Sequence, residues 1–244
     1  MTSVTPDSTG IDRAEVARRL DRIRDRIGEA GGDPERVRIV AVTKGFGPDA
    51  VRSALDLGIT DIGESYAQEL LQKLRDLEGA PLGTGKPGWS PTWHFIGRLQ
   101  SNKVRLLAPV IAVWQSIDRA SLVAEVSRRA PGAQVLIEVN VGGEAGKGGC
   151  QPADVGALVS RARDSGLDVT GLMTVAPRGA DHVVRSGFRL LTSLADVQGL
   201  GERSMGMSGD YATAVQEGAT TIRLGAALFG PRTDPRKPHQ EMRN

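Results

Sequence analysis

The chain has 244 residues, with 31 Lys and Arg against 29 Asp and Glu and a formal charge of +2, a balance that excludes the basic footprint of a nucleic-acid binder. No apolar run is long enough to span a membrane, and the opening MTSVTPDSTGIDRAEV lacks the charged-then-apolar order of a signal peptide, so a cytoplasmic protein without membrane contact is expected. A single cysteine, Cys150, excludes an internal disulfide framework and a cysteine-based metal cluster.

Val16, Leu20, Ile23 and Ile27 recur at helical spacing among charges, so an amphipathic helix over residues 12–29 precedes the first strand. Short apolar or β-branched runs then appear at 37–43 (VRIVAVT), 60–63 (TDIG), 93–97 (WHFIG) and 110–117 (VIAVWQSI). Four more follow at 133–141 (AQVLIEVNV), 167–175 (LDVTGLMTV), 203–208 (RSMGMS) and 220–230 (TTIRLGAALFG). Segments with helical periodicity separate them, among them PDAVRSALDLG, YAQELLQKLRDLEG and GDYATAVQEG. Pro48 sits just inside the first of these, and Gly58 and Gly218 stand where helices should stop.

Strict strand and helix alternation implies a parallel sheet, and eight repeats predict a single (β/α)8 TIM barrel with an extra N-terminal helix. One domain over 1–244 is expected, with 1–10 and 231–244 as flexible ends. An open doubly wound sheet is the rival, but no Gly-x-Gly-x-x-Gly fingerprint follows the first strand. GTGKPG at 83–88 follows a helix instead of a strand, lacks Ser or Thr after its lysine, and reads as a flexible insertion.

In a barrel the functional face is built from the C-terminal ends of the strands. Taken in order, these tips offer Lys44, Glu64 and Ser65, His94 with Gly97, Ser116, Asn140, Met173 and Thr174, Met207 and Ser208, and Arg223 with Gly225. Few carboxylates are among them, which argues against a divalent-metal site and against paired-carboxylate catalysis. Only six of the 31 basic residues are lysines, so a lysine at the tip of the first strand points to chemistry that needs a primary amine, such as a Schiff base with an aldehyde. The alternative is a side chain that merely snorkels to the rim. After strands 7 and 8, SMGMSGD and IRLGAALFG offer a serine, glycines and helix starts suited to a phosphate. Strands 1 and 8 are neighbours in a closed barrel, so a ligand carrying both aldehyde and phosphate fits the pair.

The runs AVTKGF, IGESYAQELLQK, WHFIGRLQSNK, VLIEVNVGGEAGKGG, GLMTVAP and SMGMSGDYATAVQEGATTIRLGAALFG together resemble the pyridoxal phosphate homeostasis protein family over about residues 37–230. The resemblance implies a barrel like that of alanine racemase without its second domain. It also implies pyridoxal 5′-phosphate (PLP) as a Schiff base on Lys44, with the phosphate held by Ser208 and the backbone at Gly225 and Ala226, and Arg223 beside the pyridine nitrogen. Ser65 stands where the family usually has asparagine, and Ala226 where it often has threonine, so PLP is expected to bind more weakly than in relatives. An arginine at the ring nitrogen disfavours ring protonation and weakens carbanion chemistry. The implied role is therefore to hold PLP and pass it to PLP-dependent apoenzymes with little or no turnover. A small PLP-dependent racemase is the alternative, and a cofactor-free aldolase and an arginine-rich scaffold are further rivals. The chain is expected to be a monomer.

His94 is either a proton donor near the cofactor or a satisfied core histidine, and Met207 a pocket residue. Met173 and Met205 fill the barrel, Trp93 and Trp114 pack in the core, and His182 and His239 lie on the surface. Lys147, in a glycine-rich loop, is a mobile exposed amine, either simply solvated or a transient acceptor for PLP.

Overall fold

A computed structural model describes residues 11–78 and 90–232. The GTGKPG segment, His239 and the ends at 1–10 and 233–244 lie outside the described residues. Helix α1 (Arg13–Glu29) starts at Asp12, whose carboxylate accepts the N–H groups of Ala14 and Glu15, and it buries Val16, Leu20, Ile23 and Ile27 as its periodicity predicts. Eight strands follow: β1 (Arg38–Val42), β2 (Asp61–Glu64), β3 (Thr92–Phe95), β4 (Val113–Ile117), β5 (Gln134–Glu138), β6 (Asp168–Met173), β7 (Glu202–Ser204) and β8 (Thr221–Leu224). The helices between and after them are α2 (Pro48–Asp56), α3 (Ala67–Leu77), α4 (Ser101–Leu107), α5 (Ala120–Arg129), α6 (Val155–Asp164), α7 (Asp181–Val197), α8 (Tyr211–Gln216) and α9 (Ala226–Phe229). Among the described residues no helix is long and apolar enough to cross a membrane.

All strand pairs are parallel, and β1 closes the barrel against β8, from Arg38 opposite Thr221 to Ala41 opposite Leu224. The strands are shorter than the apolar runs that announce them. The run at 203–208 is cut at Ser204, because Gly206 takes a φ of 93° and ends the strand. The run at 220–230 breaks at Gly225 into β8 and α9.

The side chains sort into two layers. Ala41, Ile62, Trp93, Phe95, Trp114 and Ile137 join the large core packed against the helices. Val113, Leu136 and Met173 form a separate cluster inside the barrel. Alternation along each strand then fixes which tips face the axis. Glu138 lies two residues past Leu136, and Lys44 two past Val42, a residue outside the helix-facing core. Thr43 and Glu64 take the opposite face, toward α3.

Candidate functional site

Lys44 leaves β1 at the mouth of the barrel and is half-buried. Burial lowers the pKa of its ammonium, and the positive charges of Arg232 and Arg223 lower it further. The amine is thereby moved toward the neutral form that attacks a carbonyl. The peptide groups around Lys44 are held from behind. Lys73, on α3 and only 3% exposed, donates to the Thr43 carbonyl at 2.6 Å, to Glu69 Oε1 at 2.9 Å and to Glu64 Oε1. Thr43 Oγ1 donates to the same Glu64 oxygen at 2.6 Å, and the Gly45 N–H donates to Glu69 at 2.5 Å.

Glu64, expected at the mouth, is instead fully buried between the barrel and α3. Burial raises its pKa against the pull of Lys73. The reason for the misplacement is its parity: Glu64 shares a face with Ile62, which packs outward. Ser65 stays at the rim, where its hydroxyl is buried without a hydrogen-bond partner among the described residues. A Cβ on Gly97 would come within 2.2 Å of the Ser65 carbonyl, so the glycine of WHFIG lets the end of β3 close against Ser65.

Across the β1–β8 seam, the Ala227 N–H at the start of α9 donates to Ser208 Oγ at 3.0 Å. This contact brings the loop after β7 and the turn after β8 together. Gly225 is buried beside Val42, while Ala226 is exposed at the rim. Half-buried Met207 donates its N–H to Asp210 at 2.5 Å, fixing the turn that presents Ser208. Arg223 lies inside the barrel and donates to the Ser204 carbonyl and hydroxyl at 2.8 Å each and to the Thr174 carbonyl at 2.7 Å. Burial pulls its pKa down to about 10, still above neutral, so the guanidinium stays charged. No carboxylate among the described residues ion-pairs with it.

One of the two readings of His94 holds, and two other residues depart from expectation. His94 is fully buried, and both ring nitrogens are bonded inside the barrel, to Asp61 at 2.8 Å and Gln115 at 2.8 Å, the arrangement of a satisfied core histidine. Lys147 is not a free amine: it donates to Glu144 and to the Ala176 carbonyl at 2.6 Å each, and Glu144 also accepts the Arg178 N–H. Glu144 thus ties the β5 loop to the β6 loop. Glu138 is a carboxylate at the mouth that the order of tips passes over. It is 8% exposed and has no hydrogen-bond partner among the described residues, and burial, with Asp118 nearby, raises its pKa to about 7. Cys150 is buried, and desolvation pushes its thiol up to about 12, away from the reactive thiolate. Trp93 and Trp114 are core residues and His182 is exposed, as their sequence context suggests.

No family model matches the chain. A pyridoxal phosphate homeostasis protein of Pseudomonas aeruginosa is 40% identical over 227 residues, covering 89% of this chain and 94% of the relative. One from Aquifex aeolicus is 36% identical, covering 89% and 96%. The chain belongs to the pyridoxal phosphate homeostasis protein family. A solved structure of PipY from Synechococcus elongatus, described as a complex with PLP, superposes with a TM-score of 0.71 at 29% identity, over 88% of this chain and all of that one. Alanine racemase from Corynebacterium glutamicum superposes at 0.68 with 16% identity, over 95% of this chain and 65% of the racemase, a likeness of fold alone.

Proposed function

We propose that this chain binds PLP through a Schiff base on Lys44, cradles its phosphate between Ser208 and the backbone of Gly225 and Ala226, and holds it for PLP-dependent apoenzymes in the cytoplasm, with little or no turnover. The observation that carries this reading is the pairing across one seam of a half-buried amine of lowered pKa just past β1 with the joined Ser208 and α9 turn after β7 and β8. When bound, PLP supplies an aldehyde for the amine, a dianion for the hydroxyl and backbone N–H groups, and a pyridine nitrogen that Arg223 faces with a fixed positive charge. PLP binding in PipY and the naming of the relatives support the same reading. The fixed charge of Arg223 supports the reading of little turnover, because it weakens the ring as an electron sink. Exchange of deuterium into the Cα of L-alanine by the loaded protein would favour the racemase alternative.

Borohydride reduction followed by intact-mass measurement tests the reading. One PLP adduct is expected on the wild-type chain and none on Lys44→Ala; an adduct that survives in Lys44→Ala, or none on either chain, overturns it. The unpartnered Ser65 hydroxyl gives a second expectation. Ser65→Asn adds an amide that reaches further than a hydroxyl, and one new hydrogen bond is worth about 0.5–1.5 kcal/mol, or about 2- to 10-fold in affinity. A PLP absorbance titration should show tighter binding by that factor, and unchanged or weaker binding would show that the asparagine has nothing to contact in this chain.

A further inference from the structure

Arg223 is the last member of a chain of side-chain hydrogen bonds that runs down the inside of the barrel. Its guanidinium donates to Ser204 Oγ at 2.8 Å, Ser204 Oγ donates to Gln115 Oε1 at 2.7 Å, Gln115 Nε2 meets His94 Nδ1 at 2.8 Å, and His94 Nε2 meets Asp61 Oδ1 at 2.8 Å. With the Asp61 carboxyl ionised and the His94 ring neutral, one set of donor and acceptor roles follows along the whole chain. An ionised carboxylate only accepts, so Asp61 requires a proton on His94 Nε2. In the neutral ring Nδ1 is then a lone pair, and it requires the NH₂ end of Gln115. That turns the Gln115 carbonyl toward Ser204 and draws the hydroxyl proton to it, which leaves the Ser204 lone pairs facing Arg223. Turning the Gln115 amide over would set an Nδ1–H against its oxygen and leave the Nε2 lone pair against the Asp61 carboxylate.

The consequence lies at the mouth. Arg223 has five N–H donors, and its contacts to Ser204 and Thr174 use three of them. The orientation of the guanidinium, and so the direction of the remaining two, depends on acceptors held in place from below. A free Ser204 hydroxyl would rotate, and with its proton toward the guanidinium it would repel the group it now holds. Asp61, the first residue of β2 at the end of the barrel away from Lys44, is 22% exposed in its side chain, while Gln115, His94 and Ser204 are fully buried.

We propose that Asp61, His94 and Gln115 are positioning residues for Arg223, which set from the far end of the barrel how its charge meets a ligand at the mouth. The inference rests on the reading that Arg223 faces the pyridine nitrogen of bound PLP, where it keeps that nitrogen unprotonated. A chain cut anywhere below Ser204 would therefore loosen the guanidinium and ease ring protonation.

The test uses the full chain with PLP. Asp61→Ala, at a partly exposed site, removes the terminal acceptor; Gln115→Met cuts the middle with similar bulk; Asp61→Asn keeps an oxygen for His94 Nε2–H. The two cuts are expected to weaken PLP binding about 10-fold and to move the pH midpoint of the bound cofactor's absorbance change by about one unit, while Asp61→Asn stays near wild type. A general loosening of the fold would lower the melting temperature without moving that midpoint. Wild-type affinity and midpoint in Asp61→Ala would overturn the proposal. Without ligand, the side-chain nitrogen spectrum of the protein, which has three histidines, should show His94 as the Nε2–H tautomer. An Nδ1–H tautomer overturns the direction of the chain independently of PLP. A wild-type chain that binds no PLP would sink the proposed function, and the tautomer would still be decided.

Discussion

Lys73→Met is expected to lower the folding free energy by about 3–5 kcal/mol, the usual cost of stranding a buried charge, read as a fall in the urea midpoint. Lys73 is 3% exposed, and its ammonium reaches Glu64, Glu69 and the Thr43 carbonyl. Methionine fills similar volume but provides no donor. Glu64 would keep only the Thr43 hydroxyl, with its second oxygen already unpartnered. The double variant Lys73→Met with Glu64→Gln removes both charges and should recover most of the loss, because the expensive element is the uncompensated carboxylate. A single variant within about 1 kcal/mol of wild type, the range of exposed ion pairs, would show that the cluster is not the buttress described. Since the same ammonium anchors the Thr43 carbonyl and Glu69 holds the Gly45 N–H, PLP affinity should fall in the single variant as well.

Glu138→Gln should stabilise the protein, and only above a certain pH. The folded pKa of Glu138 is about 7 against an ordinary 4.5, so between these values the folded state binds a proton that the unfolded chain has lost. Stability then falls as pH rises. The contribution of Glu138 is fully present below about pH 4.5 and lost by about pH 7. The difference of about 2.5 units corresponds to about 3 kcal/mol at pH 8. Urea denaturation of ligand-free protein from pH 4 to 8 should give curves that coincide at the acid end and separate toward pH 8, with the variant the more stable. Parallel curves would mean that water solvates the carboxyl and that burial does not set its pKa. Glu138 faces the mouth and lies close enough to Arg223 for the two charges to interact.

How much of this was legible in the sequence depended on which direction a residue had to face. The barrel and α1 follow from alternation and from the spacing of Val16, Leu20, Ile23 and Ile27, because each element needs only its own period. Lys44 was legible because a buried run ends in a glycine-flanked charge. The neighbours that govern it were not. Parallel strands are buried on both faces, so nothing in VIAVWQSI separates Gln115, which turns inward, from Trp114, which packs outward. A register shift between Trp114 and Ile117 breaks the alternation along this strand. Lys73 sits in a helix of mixed charges and looks like any solvated lysine until α3 is laid on β1 and β2. The run AQVLIEVNV continues past the end of the paired strand, so it points to Asn140 as the tip in place of Glu138. Asn140 instead staples its own loop, exchanging two hydrogen bonds with the backbone of Glu144.

The seam between β1 and β8 also carries a consequence for the order in which the protein is made. The amine follows the first strand to be synthesised, whereas the Ser208 loop and the α9 turn follow the last two. If they hold PLP together as proposed, the two halves of that grip meet only when β8 pairs with β1, and retention of the ligand would be a late event in folding.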